Sequence, residues 1–89
     1  MNLNAIEKAF GLRIPDARAQ LGKLTPRQRE LAERLADGLD YKQAAVAMGS
    51  SLKTVYSQGA TIYGKMQIHS VVTLVKIVLL VRLAKGVMA

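Results

Sequence analysis

The chain has 89 residues, a net charge of +7, 51% hydrophobic and 4% aromatic residues, and no cysteine. That length holds one small domain, and the composition suits a helical core of Leu, Ile, Val and Ala rather than a β-sandwich or a disordered chain. The missing cysteines exclude disulfide staples, thiolate zinc sites and thiol nucleophiles.

Residues 2–10 place Leu3, Ile6 and Phe10 at helical spacing, with Gly11 as a stop. Pro15 can open a short second turn that runs to about Leu21 and meets Gly22. Residues 1–22 therefore read as an N-terminal helical leader, packed on the main domain or on a partner. The main domain reads as residues 23–89.

Thr25 caps the next helix. Pro26 takes its first position, where the missing N–H costs nothing, and Gln28 completes a T-x-x-Q capping box. Leu31 and Leu35 supply the apolar stripe, Arg27, Arg29, Glu30, Glu33 and Arg34 the wet face, and Gly38 the stop. Asp40 with Gln43 three residues on opens a helix of only about two turns that ends at Gly49. Ser51 caps a third helix from about Leu52 to Met66, whose inward face is Val55, Ile62 and Met66, with Gly59 between them. Gly49-Ser50-Ser51 is the short glycine-containing turn of a helix-turn-helix, a scaffold for entering a DNA groove.

Ser70 caps a last helix that is apolar nearly all the way round, interrupted by Thr73, Lys76, Arg82 and Lys85. Its uninterrupted apolar runs fall short of the roughly 18 residues of a membrane span, so no membrane insertion is expected. A helix apolar on two faces must bury both. One closes the domain core; the other, with Val71, Leu74, Val75, Val78, Leu79 and Arg82, is expected to meet the same helix of a second copy in a homodimer.

Charge is distributed unevenly. Residues 1–40 hold seven basic and six acidic side chains, whereas residues 41–89 hold six basic and no acidic ones. Such a half favours polyanions, although a solubilising surface has the same composition. The single His69 and six scattered carboxylates offer no metal set, and no nucleophile–base pattern or phosphate-cradling glycine loop is present. No enzyme activity, cofactor or metal site is expected.

Residues 24–83 resemble the DNA-binding domain of LuxR-type (GerE/NarL-like) transcription regulators of bacteria. Leu24 to Glu30 reproduce L-T-P-R-x-R-E. Leu35, Gly38, Lys42, Ala44 and Ala45 meet L-x-x-G-x-x-x-K-x-I/A-A. Gly49, Ser51, Thr54 and Val55 meet G-x-S-x-x-T-V, and Ile62, Lys65 and Met66 meet I-x-x-K-L/M. The resemblance implies an all-α fold, a four-helix helix-turn-helix bundle preceded here by the helical leader. It also implies double-stranded DNA bound by a dimer through the third helix, with many members pairing through the fourth.

Carried over residue by residue, Thr54 and Lys65 match phosphate-contacting positions, Lys42 and Lys53 lie in the neighbouring contact zone, and Thr25 and Arg27 stand at the start of the first helix. Where the family usually reads T-V-K-x-H, Tyr56 replaces the lysine and Gln58 the histidine; Ser57, Gly59 and Ala60 are also neutral. Gln58 can pair with adenine, Ser57 can serve several base edges, Tyr56 can reach a phosphate or sugar, and the small Ala60 can touch a thymine methyl.

These residues describe a small stand-alone transcription regulator, cytoplasmic and nucleoid-associated. The alternative is a helix-turn-helix relic that acts through protein contacts, as an anti-activator of another LuxR-type regulator. A third reading lays the cationic last helix on an anionic membrane surface.

Overall fold

The computed structural model describes residues 2–88. Six helices follow one another: α1 (Leu3–Phe10), α2 (Ile14–Gly22), α3 (Pro26–Ala36), α4 (Tyr41–Met48), α5 (Leu52–Met66) and α6 (Val71–Met88). No strand occurs among the described residues, so the fold is all-α, as expected.

Local chemistry sets the helix starts. Thr25 Oγ1 accepts from the Gln28 N–H while Gln28 Oε1 accepts from the Thr25 N–H, at 3.2 and 3.1 Å. Asp40 and Gln43 repeat the arrangement at 2.7 and 2.9 Å. Ser51 Oγ takes the Thr54 N–H at 3.1 Å, and Ser70 Oγ takes the Thr73 N–H at 3.2 Å. Each such cap satisfies a donor that the first turn leaves unpaired and stabilises by about 1 kcal/mol. α2 has no side-chain cap from Arg13; instead Glu7 Oε2, from α1, accepts the Ile14 N–H at 2.7 Å.

α3 packs against α4, α5 and α6, and α4 packs against α5. Leu31, Ala32, Ala44, Val55, Ile62 and Met66 lie buried between them. Beyond α5, Gln67 adopts a left-handed turn (φ 54°), which carries Ile68 back into the core.

The leader packs on its own chain. Both α1 and α2 lie against α6, and they bury Ile6, Ile14, Ala17 and Leu21. Gln20 of α2 also donates to the Met66 carbonyl at 2.7 Å, satisfying an acceptor in the last turn of α5. α6 is therefore covered on three sides, by α1, α2 and α3.

That arrangement corrects the expected pairing face. Leu74 and Val78 are fully buried within the single copy and have no surface left for another. Arg82 is committed to α3: its guanidinium donates to Glu33 Oε2 at 3.0 Å, to Asp37 Oδ1 at 2.8 Å and to the Glu33 carbonyl at 3.1 Å. Of the remaining residues, Val71 is exposed, and Val75 and Leu79 are half-buried. The physical reason is that α6 needs apolar side chains in most directions simply to meet three helices of its own chain. What stays uncovered is a narrower stripe, Val72, Leu79, Leu83 and Val87, with the exposed Lys76 on the same face. No helix among the described residues is long and apolar enough to cross a membrane.

Candidate nucleic-acid interface

α4, the turn at Gly49-Ser50-Ser51 and α5 pack on one another and on α3. Gly49 takes the left-handed conformation (φ 64°), and the Gly49 and Ser50 N–H groups close the last turn of α4 onto the Val46 and Ala45 carbonyls. Arg27 braces this turn from α3. Its Nη2 donates to the Met48 carbonyl at 2.6 Å and to Ser50 Oγ at 2.7 Å, while its Nη1 pairs with Glu30 at 3.1 Å. The Arg27 charge thus sits against the Met48 carbonyl at the negative end of α4 and ties α3 to the turn.

α5 buries Val55, Gly59, Ile62 and Met66. With 3.6 residues per turn, the opposite face carries Lys53, Ser57, Ala60, Thr61 and Gly64, all exposed. Two edges flank it. Toward α3, Gln58 is half-buried, Thr54 accepts from Ser51 Oγ at 2.9 Å, and Lys65 Nζ donates to Gln28 Oε1 at 2.8 Å. Toward α4 lie Tyr56 and Tyr63. Lys42, in the first turn of α4, and Lys53 are exposed and make no ion pair among the described residues. Thr25 is exposed but spends its hydroxyl on the α3 cap. Lys53, Ser57 and Ala60 therefore share one outward face, with Thr54 and Tyr56 on its two edges, whereas Arg27 and Lys65 are already held by intrachain acceptors.

Tyr41 is a residue of this site that no sequence motif marks. From the first turn of α4 its ring crosses to α5 and stacks on Tyr56, with centroids 4.8 Å apart and planes at 27°. Its hydroxyl meets that of Tyr63 at 2.9 Å. Burial and this hydroxyl pair hold the Tyr41 phenol well above its ordinary ionisation range. Gly59 provides the seat. A Cβ there would lie 2.8 Å from Tyr41 Oη and 2.9 Å from its Cε1, closer than van der Waals contact permits.

A sign reversal is the expected consequence. Ala is the better helix former by about 1 kcal/mol, yet Gly59→Ala should lower stability in the native chain, because it pushes Tyr41 off both partners. In a Tyr41→Ala background the same change should raise stability by about 1 kcal/mol. Urea unfolding of the four proteins in that cycle checks both signs.

The order of α3, α4, the glycine turn and α5, with an outward reading face on α5, defines a helix-turn-helix DNA-binding domain. Comparison with protein families agrees: the model of the bacterial regulatory proteins of the luxR family matches residues 22–78. The chain belongs to that family. Comparison with curated proteins and with solved structures found no match.

Proposed function

We propose that the chain is a transcription regulator that acts as a homodimer, with α5 in the DNA major groove and the outer stripe of α6 as the pairing surface. The observation that carries this reading is electrostatic. Lys42, in the first turn of α4, and Lys53, on the outward face of α5, stand exposed without ion pairs among the described residues, in a half-chain that has no Asp or Glu. An unpaired cation retains its full attraction for phosphate, and releases DNA counterions when it binds. Lys65 and Thr54 lie on the edge toward α3, where they can add to the same contact, and Ser57 and Gln58 can face base edges. The site of action is the cytoplasm, on the nucleoid.

Fluorescence anisotropy against genomic fragments, repeated across a salt series, tests the proposal. Sequence-selective binding with a steep salt slope is expected. Lys42→Ala and Lys53→Ala should each flatten that slope by about one unit and weaken all sequences alike. Absence of selective binding in dilute buffer overturns the proposal.

A second reading rests on the apolar surface. Val46 is 80% exposed and Val72 60%, and Tyr56 and Gln58 stand where the LuxR-type pattern usually reads lysine and histidine. In that reading the stripe on α6 pairs with another regulator of this family and withholds it from DNA. Recovery of such a regulator in a pull-down, together with silence in the anisotropy assay, distinguishes it from the first.

A further inference from the structure

Three exposed residues of α5, running from its edge toward α4 onto its outward face, form a largely apolar row beside the basic residues. Leu52, Tyr56 and Ala60 recur every fourth residue, and all three are exposed, Tyr56 by 56% and Leu52 by 41%. Tyr56 is held in place. Its ring stacks on Tyr41, which is pinned in turn by the Tyr63 hydroxyl and by the seat over Gly59. The place of Tyr56 is therefore built into the fold, because the helix glycine at position 59 makes room for the ring that supports it.

Its surroundings identify what it can face. Lys53 follows Leu52, Lys42 follows Tyr41, and no Asp or Glu occurs from residue 41 onward. The fitting partner thus combines negative walls with an apolar floor. Duplex DNA has both: phosphates line the groove, and the one apolar group on a base edge in the major groove is the C5-methyl of thymine. From Leu52 to Ala60 the helix rises about 12 Å, roughly four base-pair steps at 3.4 Å each.

We propose that Leu52, Tyr56 and Ala60 read thymine methyl groups within a window of about four base pairs, with Tyr41 as the positioning residue for Tyr56. This inference rests on the DNA-binding reading above and adds to it the class of base that is recognised.

The test uses the full chain and a duplex selected by it from a random library. Each thymine of that duplex is replaced in turn by deoxyuridine, which removes the methyl and keeps every hydrogen-bonding group. Uracil at positions inside the window should weaken binding by about fourfold each, the worth of one buried methyl. Tyr56→Gln should abolish the penalty at one position and leave the others. Leu52→Gln should do the same at a different position, which supplies an independent readout if either variant fails to fold. Tyr41→Ala should blunt the Tyr56 position, and Tyr41→Phe, which keeps the stacked ring, should restore it. A selected duplex that binds with a steep salt slope yet ignores every uracil, or contains no thymine, overturns the inference and leaves DNA binding standing. Recovery of no preferred duplex overturns both.

Discussion

A chain that begins at Lys23 is expected to lose cooperative folding, although the family match begins at residue 22 and invites a cut there. The leader carries Ile6, Ile14 and Leu21, which are 1%, 6% and 2% exposed. Full burial of each such side chain contributes about 1.5–3 kcal/mol. Removing all three takes away several kcal/mol, and it also bares the part of α6 that α1 and α2 cover. The Met66 carbonyl loses its Gln20 donor at the same time. A domain of this size has about 5–15 kcal/mol of stability in total, so the loss is a large share of it. The single change Leu21→Ala is the graded form of the same experiment and should cost about 2–5 kcal/mol. Urea unfolding followed by far-UV and near-UV circular dichroism checks both proteins. A truncated chain that keeps the full-length midpoint shows that the leader is a separable arm, and the three-sided burial of α6 then contributes little.

The contrast between helix starts and helix neighbours explains how much of this molecule was legible in its sequence. Thr25 with Gln28, and Asp40 with Gln43, bond within three residues, so their spacing alone locates the start of α3 and of α4. Likewise, the inward set of α5 follows from a period that the chain itself displays. Neighbours are another matter. The all-round apolar pattern of α6 states that several faces are covered without naming the cover, and here α1 and α2 cover part of what the pattern leaves open. Arg27 sits among basic residues of a motif that meets DNA, but its guanidinium reaches a carbonyl 21 residues further on, which no local pattern encodes. Tyr41 was within reach. Tyr56 and Tyr63 are seven apart and share a face of α5, and the glycine between them at position 59 marks a close approach by another group. A third tyrosine on the preceding short helix was the available ring.

Replacing Leu83 by aspartate is expected to hold the chain as a monomer and to weaken binding to a duplex with two half-sites by about a hundredfold. α6 leaves a stripe bare: Val72, Leu83 and Val87 are 60%, 46% and 45% exposed, and Leu79 is half-buried beside them. Across a two-fold axis the same stripe meets itself, so one substitution places two carboxylates against the apolar contact. The cost in the isolated copy is small because Leu83 is already half in water. When two linked copies bind two half-sites, the second contact is made at high effective concentration, worth about 10²–10⁴ in affinity. Loss of pairing removes that gain and leaves affinity for a single half-site unchanged. Arg82→Ala is the control. Its guanidinium is committed to Glu33 and Asp37, so it should lower the urea midpoint without altering association. Light scattering gives the mass and anisotropy the two affinities. If the native chain is already a monomer at micromolar concentration, or if Leu83→Asp binds the two-site duplex as tightly as the native chain, then α6 does not pair two copies. Its stripe then remains for another regulator, as the second reading requires.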